Sequence, residues 1–184
     1  MNGCRRWLRV SSLVLPLLVA FSVGAPRAEA RELADGDGRS SIGVTLGEPF
    51  GLSFKRYMGG NAFDVNLALA YGPGVRLGAD YLWQLGLLHD HSTLQLNAYA
   101  GLGPFIGSFV GPCNFDYGFN RCGNGYNSGV YLGGRVPLGL EAVFNQAPIA
   151  IGLEIAPALA FGPGRSDYGV GYLLDALIAI RFLF

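Results

Sequence analysis

From residue 41 onward, apolar and polar positions alternate with a period of two, which predicts strands rather than helices. Ile42, Val44 and Leu46 form one short apolar row, and Leu52, Phe54 and Arg56 oppose Ser53, Lys55 and Tyr57 in the next. Longer strands follow over 62–71, 75–83, 93–103, 130–141, 149–159 and 172–184. In the last of these, Leu174, Ala176, Ile178, Ile180, Phe182 and Phe184 oppose Asp175, Leu177, Ala179 and Arg181. The pattern gives eight strands. Pro137, which has no N–H to donate, is an awkward member of the sixth.

The polar face sets the expected class. It carries Lys55, Asp64, Arg76, Asp80, Arg135, Glu141, Glu154, Asp175 and Arg181, set among Gly, Ala, Asn and Ser, while the other face is aliphatic and aromatic. A lipocalin-like soluble barrel places apolar rows inside and charges outside. A transmembrane barrel inverts that arrangement. The expectation is therefore an all-β chain: an eight-stranded antiparallel up-and-down transmembrane β-barrel with a polar interior. A secreted lipocalin-like lipid carrier is the soluble alternative.

Composition agrees with an inverted surface. Charged residues make up 14% of the 184, against 51% apolar, and glycine counts 29. A water-exposed surface ordinarily needs about 25% or more charge. The zero net charge gives no basic footprint for nucleic acid.

The first thirty residues read as a secretory signal peptide. Arg5, Arg6 and Arg9 precede an apolar run from Val10 to Val23, and Ala28-Glu29-Ala30 supplies small residues for cleavage. Residues 1–30 are the expected signal, 31–40 a flexible periplasmic lead and 41–184 the barrel domain. No later run is long and apolar enough for a spanning helix.

An even strand count places both termini in the periplasm. The expected external connections are 48–51, 72–74, 104–128 and 161–170, and the periplasmic ones are 58–61, 84–92 and 144–148. Tyr57, Phe63, Trp83, Phe144 and Phe182 fall near one set of strand ends, and Tyr71, Phe105, Phe161 and Tyr172 near the other, as aromatic girdles would.

With its signal peptide, alternating strands, small turns and terminal Ile178-Ala179-Ile180-Arg181-Phe182-Leu183-Phe184, the chain resembles the small eight-stranded outer-membrane barrels of the OmpA/OmpX type. The resemblance covers residues 41–184. It implies a bacterial outer-membrane location, contact with membrane lipid and lipopolysaccharide, and recognition of Phe182 and Phe184 by the barrel assembly machinery. Gly47-Glu48-Pro49-Phe50-Gly51-Leu52-Ser53 and Ala79-Asp80-Tyr81-Leu82-Trp83 also look like pieces of uncharacterised bacterial families in this class.

Candidate chemistry is sparse. Cys113 and Cys122 are expected to form a disulfide that pins the 104–128 loop as a cap, because the periplasm oxidises thiols. Lys55, Arg76, Arg135 and Arg181 are placed to pair with Asp80, Glu141, Glu154 and Asp175 as a lumen charge network. His89 and His91 flank Asp90 in an expected turn, with no third nitrogen to complete a metal site and no arrangement that suggests a nucleophile and base. Neither catalysis nor a cofactor is expected. The expected function is a plugged structural or surface-recognition barrel, working as a monomer with an external protein as one further partner. A surface adhesin acting through the pinned loop, a narrow channel and a lipid-modifying enzyme are the alternatives.

Overall fold

The computed structural model describes residues 38–69, 74–116, 119–163 and 168–184, with backbone alone for 109–116, 119–127, 163 and 168. The expected signal peptide and most of the lead lie outside the described residues, as does Tyr71. Among the described residues, no helix is long and apolar enough to cross a membrane.

The chain forms one antiparallel sheet of nine strands. They are β1 (Ser40–Glu48), β2 (Phe50–Met58), β3 (Asn61–Leu69), β4 (Gly74–Asp90), β5 (Leu94–Asp116), β6 (Phe119–Arg135), β7 (Leu138–Phe144), β8 (Ile149–Pro163) and β9 (Tyr168–Leu183). Pairing runs β4-β3-β2-β1-β9-β8 and continues through β6 and β7 to β5. β5 also pairs with β4 from Gly74↔Phe109 to Asp90↔Gln95. Each strand thus has a hydrogen-bonded neighbour on both sides along part of its length, and one face of the sheet is enclosed. The N-terminal end of β1 meets the C-terminus directly, through Ser40 N–H to Phe184 O (2.9 Å) and Phe184 N–H to Ser40 O (2.8 Å).

This corrects the expected eight-stranded up-and-down order. The sixth strand is two, because Val136 and Pro137 interrupt it. β6 and β7 lie end to end between β5 and β8, so β5 is laddered to β4, β6 and β7. The cause is the missing N–H of Pro137. The gap is stitched by Val136 N–H to Pro157 O (3.0 Å) and Gly101 N–H to Pro137 O (2.8 Å).

The expected turn at 84–92 is also corrected. β4 continues to Asp90, and register shifts between Gln84 and Gly86 and between Leu87 and His89 absorb the loss of alternation in Leu85-Gly86-Leu87-Leu88. Gly86 takes a φ of 144°, a conformation open to glycine, at the first of these bulges.

The expected 104–128 cap is not a loop. β5 runs to Asp116 and β6 starts at Phe119, paired from Gly103↔Arg135 to Asp116↔Phe119. Glycine, cysteine and asparagine in this stretch read locally as loop, but cross-strand pairing prevails. Cys113 and Cys122 are direct backbone partners. Their side chains, and with them the expected disulfide, lie outside the described residues; the paired strands replace the expected loop cap.

The two faces separate sharply. Ile42, Leu67, Trp83, Leu153, Tyr172 and Phe182 point outward and are exposed, as are their neighbours in the same rows. The enclosed face carries the charges, together with Ala and Gly. Tyr57 and Phe105, expected in the aromatic girdles, are instead 2% and 4% exposed and face inward. They share the parity of the charged positions, which outweighs their aromatic character.

Small residues make room for the long side chains. Arg181 lies across from Gly43 on β1 and Ala150 on β8, and Arg135 across from Gly103 on β5 and Ala158 on β8. At Gly139 an added Cβ would enter the Tyr99 ring, and at Gly107 the Tyr131 ring. Gly139→Ala is therefore expected to destabilise the fold by about 1–3 kcal/mol through overpacking, read as a lowered urea midpoint with an unchanged slope.

Candidate functional site

All nine charged residues on the enclosed face are buried: Lys55, Asp64, Arg76, Asp80, Arg135, Glu141, Glu154, Asp175 and Arg181. Alternation on β2, β3, β4, β6, β7, β8 and β9 aims them at a common centre. They form two clusters.

The first cluster is organised by Arg181. Its Nη2 lies 2.7 Å from Asp64 Oδ2 and its Nη1 3.2 Å from Glu141 Oε1. Lys55 Nζ donates to the other Glu141 oxygen at 2.8 Å. Ser53 links the parts, accepting from Arg181 Nε at 3.0 Å and donating to Asp64 Oδ1 at 2.9 Å. The Lys55 ammonium also lies 4.6 Å from the Tyr99 ring centre and 5.0 Å from that of Tyr57, close enough for cation–π attraction.

The second cluster is organised by Arg135. It grips Asp80 through Nε at 3.0 Å and through Nη2, while its Nη1 reaches Asp175 at 3.2 Å and Glu154 at 3.3 Å. Arg76 holds Asp175 with both terminal nitrogens, one at 3.0 Å, and its guanidinium sits 4.9 Å from the Phe105 ring centre. Tyr99 donates to Glu154 at 2.9 Å, and Asn66 to Asp80 at 3.2 Å.

The arrangement resolves a register conflict. Asp64 and Asp80 are direct partners across β3 and β4, and like charges so placed repel. Each is instead neutralised by an arginine from elsewhere in the sheet, Arg181 for Asp64 and Arg135 for Asp80. Four cations therefore meet five carboxylates. In a medium of low dielectric this holds only because nearly every charge has a close opposite partner.

Sequence parity named the charged residues but not their neutral partners. Ser53, Asn66 and Tyr99 share the same face, and that shared parity was the available signal. His89 and His91 lie apart, at the end of β4 and just beyond it, exposed, with their rings stacked at 6.3 Å between centres. Among the described residues there is no group of three or more side chains suited to hold a metal. Phe182 and Phe184 point outward at the end of the chain, 52% and 65% exposed.

A cavity of about 10 Å³ separates the two clusters, roughly the size that admits a single water. The larger depression, about 730 Å³, lies on the outer face among Leu46, Leu138, Leu140, Leu153, Ile155 and Ile178.

No protein family, curated protein or solved structure matches the chain. The nine-stranded order, with β5 laddered to β4, β6 and β7, is not that of the eight-stranded OmpA/OmpX-type barrels, and that resemblance is withdrawn. The outer-membrane address, the surface-barrel function and the periplasmic placement of the termini were inferred alongside it and are withdrawn too. The strand order and the 104–128 segment already depart from that expectation, and the residues expected to carry the address lie outside those described.

Proposed function

We propose that the outer face of this protein is solvated by lipid hydrocarbon. The observation that carries this reading is the inversion of the sheet: charges on the enclosed face are 0–6% exposed, while outward Leu67, Leu102, Leu132, Leu153 and Leu174 are each more than half exposed. Monomeric proteins in water seldom expose contiguous apolar patches beyond a few hundred Å².

The apolar rows run around the whole ring, on β1 through β9. A protein partner would have to encircle the chain to cover them, whereas lipid does so without shape complementarity. Dimensions agree. The outward row from Tyr172 on β9 to Phe184, just past its end, extends about 40 Å at about 3.3 Å per residue. At a tilt of about 45° it spans about 28 Å, close to the hydrocarbon thickness of a bilayer. Lipid would also remove the need to hydrate a face almost devoid of charge.

Flotation with phospholipid vesicles tests the reading. The refolded chain is expected to float with the vesicles and to stay with them through carbonate and urea washes. Recovery as a monodisperse, vesicle-free species in detergent-free buffer would overturn it.

A further inference from the structure

We propose that the 10 Å³ cavity between the two charge clusters is a binding site for one water molecule, which joins the clusters into a single hydrogen-bonded network. The inference does not depend on what covers the outer face. Ser53, Asp64 and Arg181 line the cavity from the first cluster, and Asn66, Arg135 and Glu154 from the second. Two acceptors among these six lack a hydrogen bond within the protein. Asn66, 5% exposed, has no donor to its Oδ1. Glu154, 6% exposed, has none to its Oε1, although Arg135 Nη1 stands 3.3 Å away.

A buried acceptor without a donor is costly, and natural folds satisfy nearly all of them. The occupant must therefore donate. It must also fit a space of about one probe sphere, which matches water. A cation is the poorer match, because Arg135 and Arg181 both line the cavity and balance Asp64 and Glu154. Water donates twice and accepts twice. Donating to Asn66 and Glu154 leaves its lone pairs for the guanidinium side of the cavity. The charges from Lys55 to Arg76 then act as one unit, with Ser53 and the water as the neutral links.

Water-to-protein cross-relaxation on the folded wild-type chain tests this directly. The expected result is a long-lived water signal at the Asn66 side-chain amide. Oxygen-17 relaxation dispersion then counts long-lived waters, and the count is expected to fall by one in Asn66→Leu. Absence of the cross-peak in the wild type overturns the proposal, as does an unchanged count in a folded Asn66→Leu. The wild-type measurement decides alone if that variant does not fold.

Discussion

Arg135→Leu is expected to be the most damaging single substitution in the protein. Arg135 touches three buried carboxylates, Asp80, Glu154 and Asp175. Without it, among the described residues Asp80 keeps its hydrogen bond from Asn66, Glu154 keeps that from Tyr99, and Asp175 retains Arg76. Breaking a buried pair by removing one partner costs about 3–5 kcal/mol, because the remaining charge is left uncompensated. Three carboxylates lean on this guanidinium, so the upper end of that range is expected. Reversible urea unfolding in micelles measures it. Adding Asp80→Asn to Arg135→Leu is expected to recover part of the loss, since it removes one orphaned charge. A loss below about 1 kcal/mol, typical of a solvated surface pair, would mean that water reaches the cluster.

Leu153→Arg is the second large effect, and its size depends on what surrounds the protein. Leu153 is 55% exposed within the outward apolar row of β8, between Leu140 on β7 and Ile178 on β9. On a surface facing water, such a change falls within about 0.5 kcal/mol of neutral. On a lipid-facing strand near the bilayer midplane, arginine costs about 2–4 kcal/mol. The lipid reading predicts the larger value in vesicles. It also predicts a smaller penalty for a matching change near a strand end, such as Phe182→Arg, because there the charge can reach the headgroups.

The sequence made the faces of the sheet legible, and the reason is geometric. A period of two is written residue by residue, so position along the chain alone puts Asp64, Arg76, Glu141 and Arg181 on one face. Strand ends were less legible. Gln84 to Asp90 breaks the alternation, and only the bulges in the β4–β5 ladder keep it in the sheet. Residues 104–116 and 119–128 look like loop locally and become strand through pairing with each other, a non-local cause that no window reveals. Pro137 was visible as a difficulty, but its result, two strands end to end, depends on the stitching bonds to Gly101 and Pro157.

The network was legible in membership and not in wiring. Opposite charges of the same parity were bound to meet, yet which arginine takes which carboxylate follows from curvature and register. Lys55 pairs with Glu141, 86 positions away, and Arg76 with Asp175, 99 away. Aromatic placement failed for a related reason. Tyr57 lies at the end of β2 and Phe105 in the middle of β5, and parity turns both inward, where they pack against Lys55 and Arg76.

The central claim is that the outward rows contact hydrocarbon, and Trp83 offers the most direct measurement of it. Trp83 is 46% exposed on the outer face of β4, edge-on to Tyr81. The chain has two tryptophans, so Trp7→Phe leaves Trp83 as the single reporter. Its fluorescence is to be compared in vesicles of ordinary and acyl-chain-brominated phospholipid, with acrylamide as the aqueous quencher. The account predicts strong quenching by bromine on the acyl chains, blue-shifted emission and weak quenching by acrylamide. Emission unchanged by brominated lipid and readily quenched by acrylamide would contradict it.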